Sequence, residues 1–89
     1  MTEAIEVKRK RLYMRSIRRG IKEMDLILQA FSDKVLDTMD ADQLALYDRL
    51  LSENDHDLYQ WVSGQASEPT PYQDLMDQIR AGAIGVTKP

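Results

Sequence analysis

The stretch Gly20-Ile21-Lys22-Glu23-Met24-Asp25-Leu26-Ile27-Leu28-Gln29-Ala30-Phe31-Ser32-Asp33-Lys34-Val35-Leu36 decides the fold. Ile21, Met24, Ile27, Leu28, Phe31 and Val35 recur at intervals of three and four, which lines them along one stripe of an α-helix. Leu26 and Leu36 widen that stripe. Glu23 and Asp25 fall in the first turns, where the helix dipole favours negative charge. The reading is an amphipathic helix over about 20–36.

Upstream, Glu6 to Ile17 contains neither Gly nor Pro and is rich in Arg and Lys, both good helix formers. Ile5, Leu12 and Ser16 fall near one face, with Tyr13 and Ile17 beside it. Downstream, Asp40 is a candidate N-cap with Gln43 three residues on, the pattern of a capping box. It opens a third helix of about 41–52 with Leu44, Tyr47, Leu50 and Leu51 inward. Asn54 or Asp55 caps a fourth, ending near Ser63-Gly64, with Leu58, Trp61 and Val62 inward. Pro69 and Pro71 break the next loop. A fifth helix runs from Pro71 or Tyr72 to Ala81, with Tyr72, Leu75, Met76, Ile79 and Ala83 at helical spacing and Gly82 and Gly85 as stops. No segment alternates with a period of two. The expected fold is all-α, a small bundle of about five short helices. It forms one domain over 1–89, ordered from about 5 to 82 with flexible termini.

Composition narrows the chemistry. The chain has 89 residues and no cysteine, which removes disulfides, thiolate zinc sites and cysteine nucleophiles. One modest core leaves little room for a deep enzyme pocket. No apolar run approaches the roughly 18 residues that span a membrane. Met1 to Glu6 carries acids and lacks the apolar core of a secretory signal or the acid-poor character of a transit peptide. The expected location is therefore a bacterial cytoplasm. The net charge of −3 conceals a split: residues 1–23 hold eight bases and three acids, whereas residues 24–89 hold four bases and twelve acids. That split reads as a basic contact region on an acidic body.

Catalytic and metal sites are hard to build from these residues. His56 is the only histidine. Asp55-His56-Asp57 reads as a solvated helix start rather than a ligand set, since a metal site needs three or four converging ligands. No nucleophile elbow and no phosphate-binding glycine loop is present. Lys8-Arg9-Lys10-Arg11 with Arg15, Arg18 and Arg19 resembles a phosphate-contacting stripe, but the acidic body opposes a duplex and no recognition helix stands out. The basic helix lacks the broad apolar face that a membrane surface requires. Trp61 reads as a core anchor, although Tyr47, Tyr59 and Trp61 together have the composition of an aromatic contact patch.

Arg18-Arg19-Gly20-Ile21-Lys22-Glu23-Met24-Asp25 looks like a docking surface. Gly20 has no side chain, so another backbone can approach it. Arg19 and Glu23 are four apart and share a face on a helix. Arg15-Ser16-x-Arg18-Arg19-Gly20-x-x-Glu23-x-Asp25 resembles the Arg-Gly-x-x-Glu signature of the SdhE-type succinate dehydrogenase assembly factors. The resemblance continues through Leu26-Ile27-Leu28 and Phe31, through Leu44-x-Leu46-Tyr47-Asp48-Arg49-Leu50-Leu51, and through Asp55-x-Asp57-Leu58-Tyr59-x-Trp61. It covers roughly residues 9–62.

The resemblance implies a five-helix bundle with a chaperone-like, non-enzymatic activity. The implied partner is the flavoprotein subunit of succinate dehydrogenase and, in some bacteria, that of fumarate reductase. There a client histidine becomes bonded to the C8α methyl carbon of FAD, so FAD belongs to the client and the assembly factor holds no cofactor or metal. The implied contact residues are Arg15, Arg18, Arg19, Gly20, Glu23 and Asp25. Gly20 would admit the client backbone, while Arg19 and Glu23 make charge-assisted hydrogen bonds to it. The free protein is expected to be a monomer without nucleic-acid or membrane partners. A small regulatory interaction module of antitoxin type is the alternative.

Overall fold

The computed structural model describes residues 4–83, and the flexible termini expected from the sequence lie outside them. Five helices follow in order: α1, Ile5–Ser16; α2, Lys22–Val35; α3, Ala41–Leu51; α4, Asp55–Ser63; and α5, Gln73–Ala83. Short 3-10 turns at Leu36–Thr38 and Thr70–Tyr72 lead out of α2 and into α5. No strand occurs among the described residues, and the all-α bundle expected from periodicity is the fold.

α2 is the central element, lying against α1, α4 and α5, while α1 also packs on α3. Met24, Ile27, Leu28 and Phe31 of α2 are buried, as their spacing requires. They meet Leu12 of α1, Leu44, Tyr47, Leu50 and Leu51 of α3, Leu58 and Trp61 of α4, and Leu75, Met76 and Ile79 of α5 in one cluster. Tyr47 and Trp61 belong to this core, so they form no exposed aromatic patch. The Tyr47 ring lies 5.3 Å from Phe31, and the Trp61 ring 6.1 Å from Tyr72.

The helix ends follow local chemistry. Asp40 and Gln43 form the reciprocal capping box, with backbone-to-side-chain bonds of 2.8 and 2.9 Å. Asn54 caps α4 by accepting from the His56 N–H at 2.8 Å. Gly64 ends α4 at φ 82°, a left-handed conformation that a residue with a Cβ adopts only at a cost. Three expectations fail. Gly82 lies inside α5 instead of stopping it, and a Cβ there would meet open space, so glycine's freedom is not called on at this position. Leu26 (43% exposed) and Ile5 (40% exposed) face outward although both are apolar. The helix expected from Gly20 begins at Lys22, with Ile21 as its N-cap residue.

The core contains one polar knot. Among the described residues Ser16 and Ser32 are the buried polar ones, and with Tyr47 they close a ring of hydroxyls across α1, α2 and α3. Ser16 Oγ lies 2.6 Å from Tyr47 Oη and donates to the Leu12 carbonyl at 2.7 Å. Ser32 Oγ lies 3.0 Å from Ser16 and 3.1 Å from Tyr47. Every member has a partner, as a buried hydroxyl must. Burial pushes the Tyr47 hydroxyl above its ordinary pKa, with the serine hydrogen bonds and the Arg19 and Arg15 charges opposing, so it remains a neutral donor. Tyr47→Phe breaks the ring while keeping the aromatic volume. It is expected to lower stability by about 1 kcal/mol, read as a fall in Tm of roughly 4–8 °C by circular dichroism.

Candidate functional site

The Arg-Gly segment is the linker between α1 and α2, and Asp55 at the start of α4 shapes it. Arg19 Nε donates to Asp55 Oδ1 at 2.7 Å, and the Gly20 N–H donates to Asp55 Oδ2 at 2.6 Å. The rest of the guanidinium donates to the Leu51 carbonyl at 2.8 Å and the Glu53 carbonyl at 3.1 Å. One planar side chain thereby satisfies carbonyls left open where α3 ends and reaches the carboxylate where α4 begins. The Arg19 backbone N–H donates to Asp25 Oδ1 at 2.6 Å, which joins the linker to the first turn of α2.

This geometry corrects the expected helical face shared by Arg19 and Glu23, and gives Gly20 a partner within the chain. Arg19 precedes α2, so it does not stack over Glu23 on a helical face. Its side chain is 11% exposed and turns inward. A Cβ built on Gly20 would meet Asp55 Oδ2 at 3.2 Å. The space saved by glycine is thus used first by the chain's own carboxylate. The spacing of Arg19 and Glu23 could not reveal this, because Asp55 lies 36 residues from Arg19.

The other expected contact residues divide in the same way. Asp25 is half-buried and holds the linker. Arg15 pairs with Asp48 of α3 and reaches Ser52 Oγ at 3.3 Å. Arg11 grips the same Asp48 carboxylate with bonds of 3.0 and 3.2 Å. Arg9 donates to the Leu36 and Met39 carbonyls at 3.2 and 2.9 Å, which closes the turn after α2. Arg18 and Glu23 are exposed. Gly20 is exposed as well. Beside them lies an open groove of about 490 Å³ lined by Arg11, Met14, Arg15, Arg18 and Arg19.

Asp48 is held below the usual carboxylate range, chiefly by the Arg11 hydrogen bond, with the charges of Arg11, Arg15 and Lys8 adding and burial opposing. A depressed carboxyl pKa contributes stability above the unfolded value, and that contribution is lost as pH falls through the folded value. No group of three or more His, Cys, Asp or Glu converges as a metal site among the described residues, and His56 is exposed at the start of α4. No described helix is long and apolar enough to cross a membrane.

The chain matches, over residues 10–83, the family model described as flavinator of succinate dehydrogenase. It belongs to this family. The matched span contains the linker, Asp48 and Asp55. The chain is similar to the mitochondrial succinate dehydrogenase assembly factor 2 of Danio rerio, at 41% identity over 81 residues, covering 88% of this chain and 51% of that protein. The protein of the same name from Aspergillus terreus is 48% identical over 78 residues, covering 84% of this chain and 26% of that protein. The one from Drosophila grimshawi is 36% identical over 81 residues, covering 88% and 55%. The chain spans about half the length, or less, of these curated relatives. These relatives are named as mitochondrial, which overturns the expectation of a bacterial cytoplasm. That expectation rested on the character of the first residues, and the relatives' extra length makes those residues a poor guide to targeting.

Two outcomes check this site. Asp55→Ala is expected to cost about 2 kcal/mol, because it leaves the shielded guanidinium and the Gly20 N–H without their carboxylate. Urea unfolding measures it, and a cost under about 0.5 kcal/mol would mean that the linker holds without Asp55. Asp48→Asn is expected to cost about 1 kcal/mol at neutral pH and to flatten the loss of stability seen in the parent chain below about pH 4. Thermal unfolding from pH 7 to pH 3 compares the two.

Proposed function

We propose that this chain is an assembly factor that binds the flavoprotein subunit of succinate dehydrogenase and promotes its covalent flavinylation. The observation that carries the reading is the family match over residues 10–83, which includes the whole Arg-Gly-x-x-Glu segment. The relatives are named for succinate dehydrogenase alone, so that enzyme's flavoprotein is the proposed client.

The geometry suggests a division of labour. Arg19, Asp25 and Asp55 hold the linker in one shape. Arg18, Glu23 and the exposed side of Gly20 then meet the client. A preformed linker loses less conformational freedom on binding than a mobile one, which favours affinity. The role is that of a binding partner and not a catalyst: the client supplies the histidine and the FAD, and this chain keeps no cofactor of its own.

The test is covalent FAD on the flavoprotein subunit, read as in-gel flavin fluorescence in cells lacking this gene and in cells complemented with it. The signal is expected to fall at least severalfold without the gene. Wild type and Asp48→Asn should restore it, but Gly20→Arg should not, because the added side chain displaces Asp55 and fills the contact surface. An unchanged signal in the deleted cells rejects the reading.

A further inference from the structure

We propose that Tyr72 is a positioning residue for the client contact: its hydroxyl holds Glu53, and Glu53 holds Arg19 and the Gly20 linker in the shape that the client binds. This rests on the assembly-factor reading and extends the contact machinery to the turn that leads into α5. Arg19 finds its acceptors in one short stretch: the Leu51 carbonyl, the Glu53 carbonyl and the Asp55 carboxylate. The shape of that stretch therefore decides where the guanidinium lies. Glu53 is tied at two points. Its backbone carbonyl accepts from Arg19 Nη2 at 3.1 Å, and its Oε2 accepts from the Tyr72 hydroxyl at 3.0 Å. A chain of hydrogen bonds thus runs from Tyr72 through Glu53, Arg19 and Asp55 to the Gly20 N–H.

Tyr72 is built as a fixed donor. It is 4% exposed, and its ring lies 6.1 Å from that of Trp61. Its N–H donates to the Pro69 carbonyl at 2.9 Å, which closes the 3-10 turn, and Pro71 before it has a fixed φ. Burial, with the hydrogen bond and charge of Glu53, pushes the hydroxyl above its ordinary pKa against the opposing Arg49, so it stays protonated. A neutral phenol donating to a carboxylate makes a charge-assisted bond, stronger than one between neutral groups. A phenylalanine would fill the same core space but would leave Glu53 free. The turn between α3 and α4 would then sample more shapes, and Arg19 would meet its acceptors together less of the time. A looser linker has to be ordered when the client binds, which lowers affinity.

Two measurements on the full chain test this, with wild type, Tyr72→Phe, Glu53→Gln, Glu53→Ala and the double variant Tyr72→Phe/Glu53→Ala. The first is solvent exchange of the Arg19 Nε–H, followed by nuclear magnetic resonance, with the backbone amides of Leu28 and Phe31 in the core of α2 as the control for global stability. Tyr72→Phe and Glu53→Ala should speed the Arg19 exchange at least fivefold while the α2 amides change less than twofold. The second is affinity for the flavoprotein subunit of succinate dehydrogenase. Tyr72→Phe and Glu53→Ala should each weaken binding about fivefold. Glu53→Gln, which keeps an acceptor for the hydroxyl, should stay within about twofold of wild type, and the double variant should bind no worse than either single one, because both remove the same link. If Tyr72→Phe does not fold, Glu53→Ala decides alone. Wild-type Arg19 exchange or wild-type affinity in Glu53→Ala overturns the proposal, as does a double variant whose losses add. A wild-type chain that binds the flavoprotein while Tyr72→Phe binds equally well rejects only the positioning role. A wild-type chain that does not bind it rejects the assembly-factor reading and the positioning role together.

Discussion

The carboxylate of Asp55 is the contact on which the shape of the Arg19-Gly20 linker depends. Its two oxygens accept from the Arg19 side chain and the Gly20 backbone, so it fixes the direction of the linker and ties it to the first turn of α4, which Asn54 caps. The guanidinium then uses its remaining donors on carbonyls at the end of α3 and in the turn that follows. Only a planar fork with several fixed N–H directions can serve three acceptors set around it in this way, and lysine would not replace it. A glycine follows because a side chain at position 20 would crowd the carboxylate that its own N–H binds.

The basic face of α1 resembles a polyanion-binding stripe, yet most of it holds the bundle together. Arg9 closes the turn after α2, and Arg11 and Arg15 tie α1 to Asp48 on α3. A similar economy appears at the other end of the molecule. Arg80 donates to the Trp61 carbonyl at 3.0 Å and pairs with Glu68 and Asp77, which pins the loop between α4 and α5. The Tyr72 hydroxyl, pushed up by burial and by its bond to Glu53, joins that loop to the turn beside the Arg19 site at 3.0 Å. Ion pairs that also satisfy helix-end carbonyls contribute more than isolated surface pairs, because they spare backbone groups from being buried unbonded.

Much of the bundle was legible in the sequence. The inward faces of α3 and α5, the Asp40–Gln43 box and the Gly64 stop all follow from spacings of a few residues, and all are present. Leu26 and Ile5 were misplaced because hydrophobicity alone does not say how wide an apolar stripe its neighbours can cover. The hydroxyl ring was missed because Ser32 reads as an ordinary polar residue. Its place one turn after buried Leu28, like that of Ser16 after Leu12, was the available signal.

The sequence by itself determined five helices, the caps of α3 and α4 and the family to which the chain belongs, because periodicity, capping and signature motifs are set by nearby residues. Only the tertiary structure decided which charges are spent on the fold and which remain for a partner. The acceptors of Arg9, Arg11 and Arg19 lie 27, 37 and 36 residues away along the chain. No local spacing encodes such pairings. They exist once the apolar faces have packed and brought α3 and α4 beside the linker, and that packing leaves Arg18 and Glu23 facing outward.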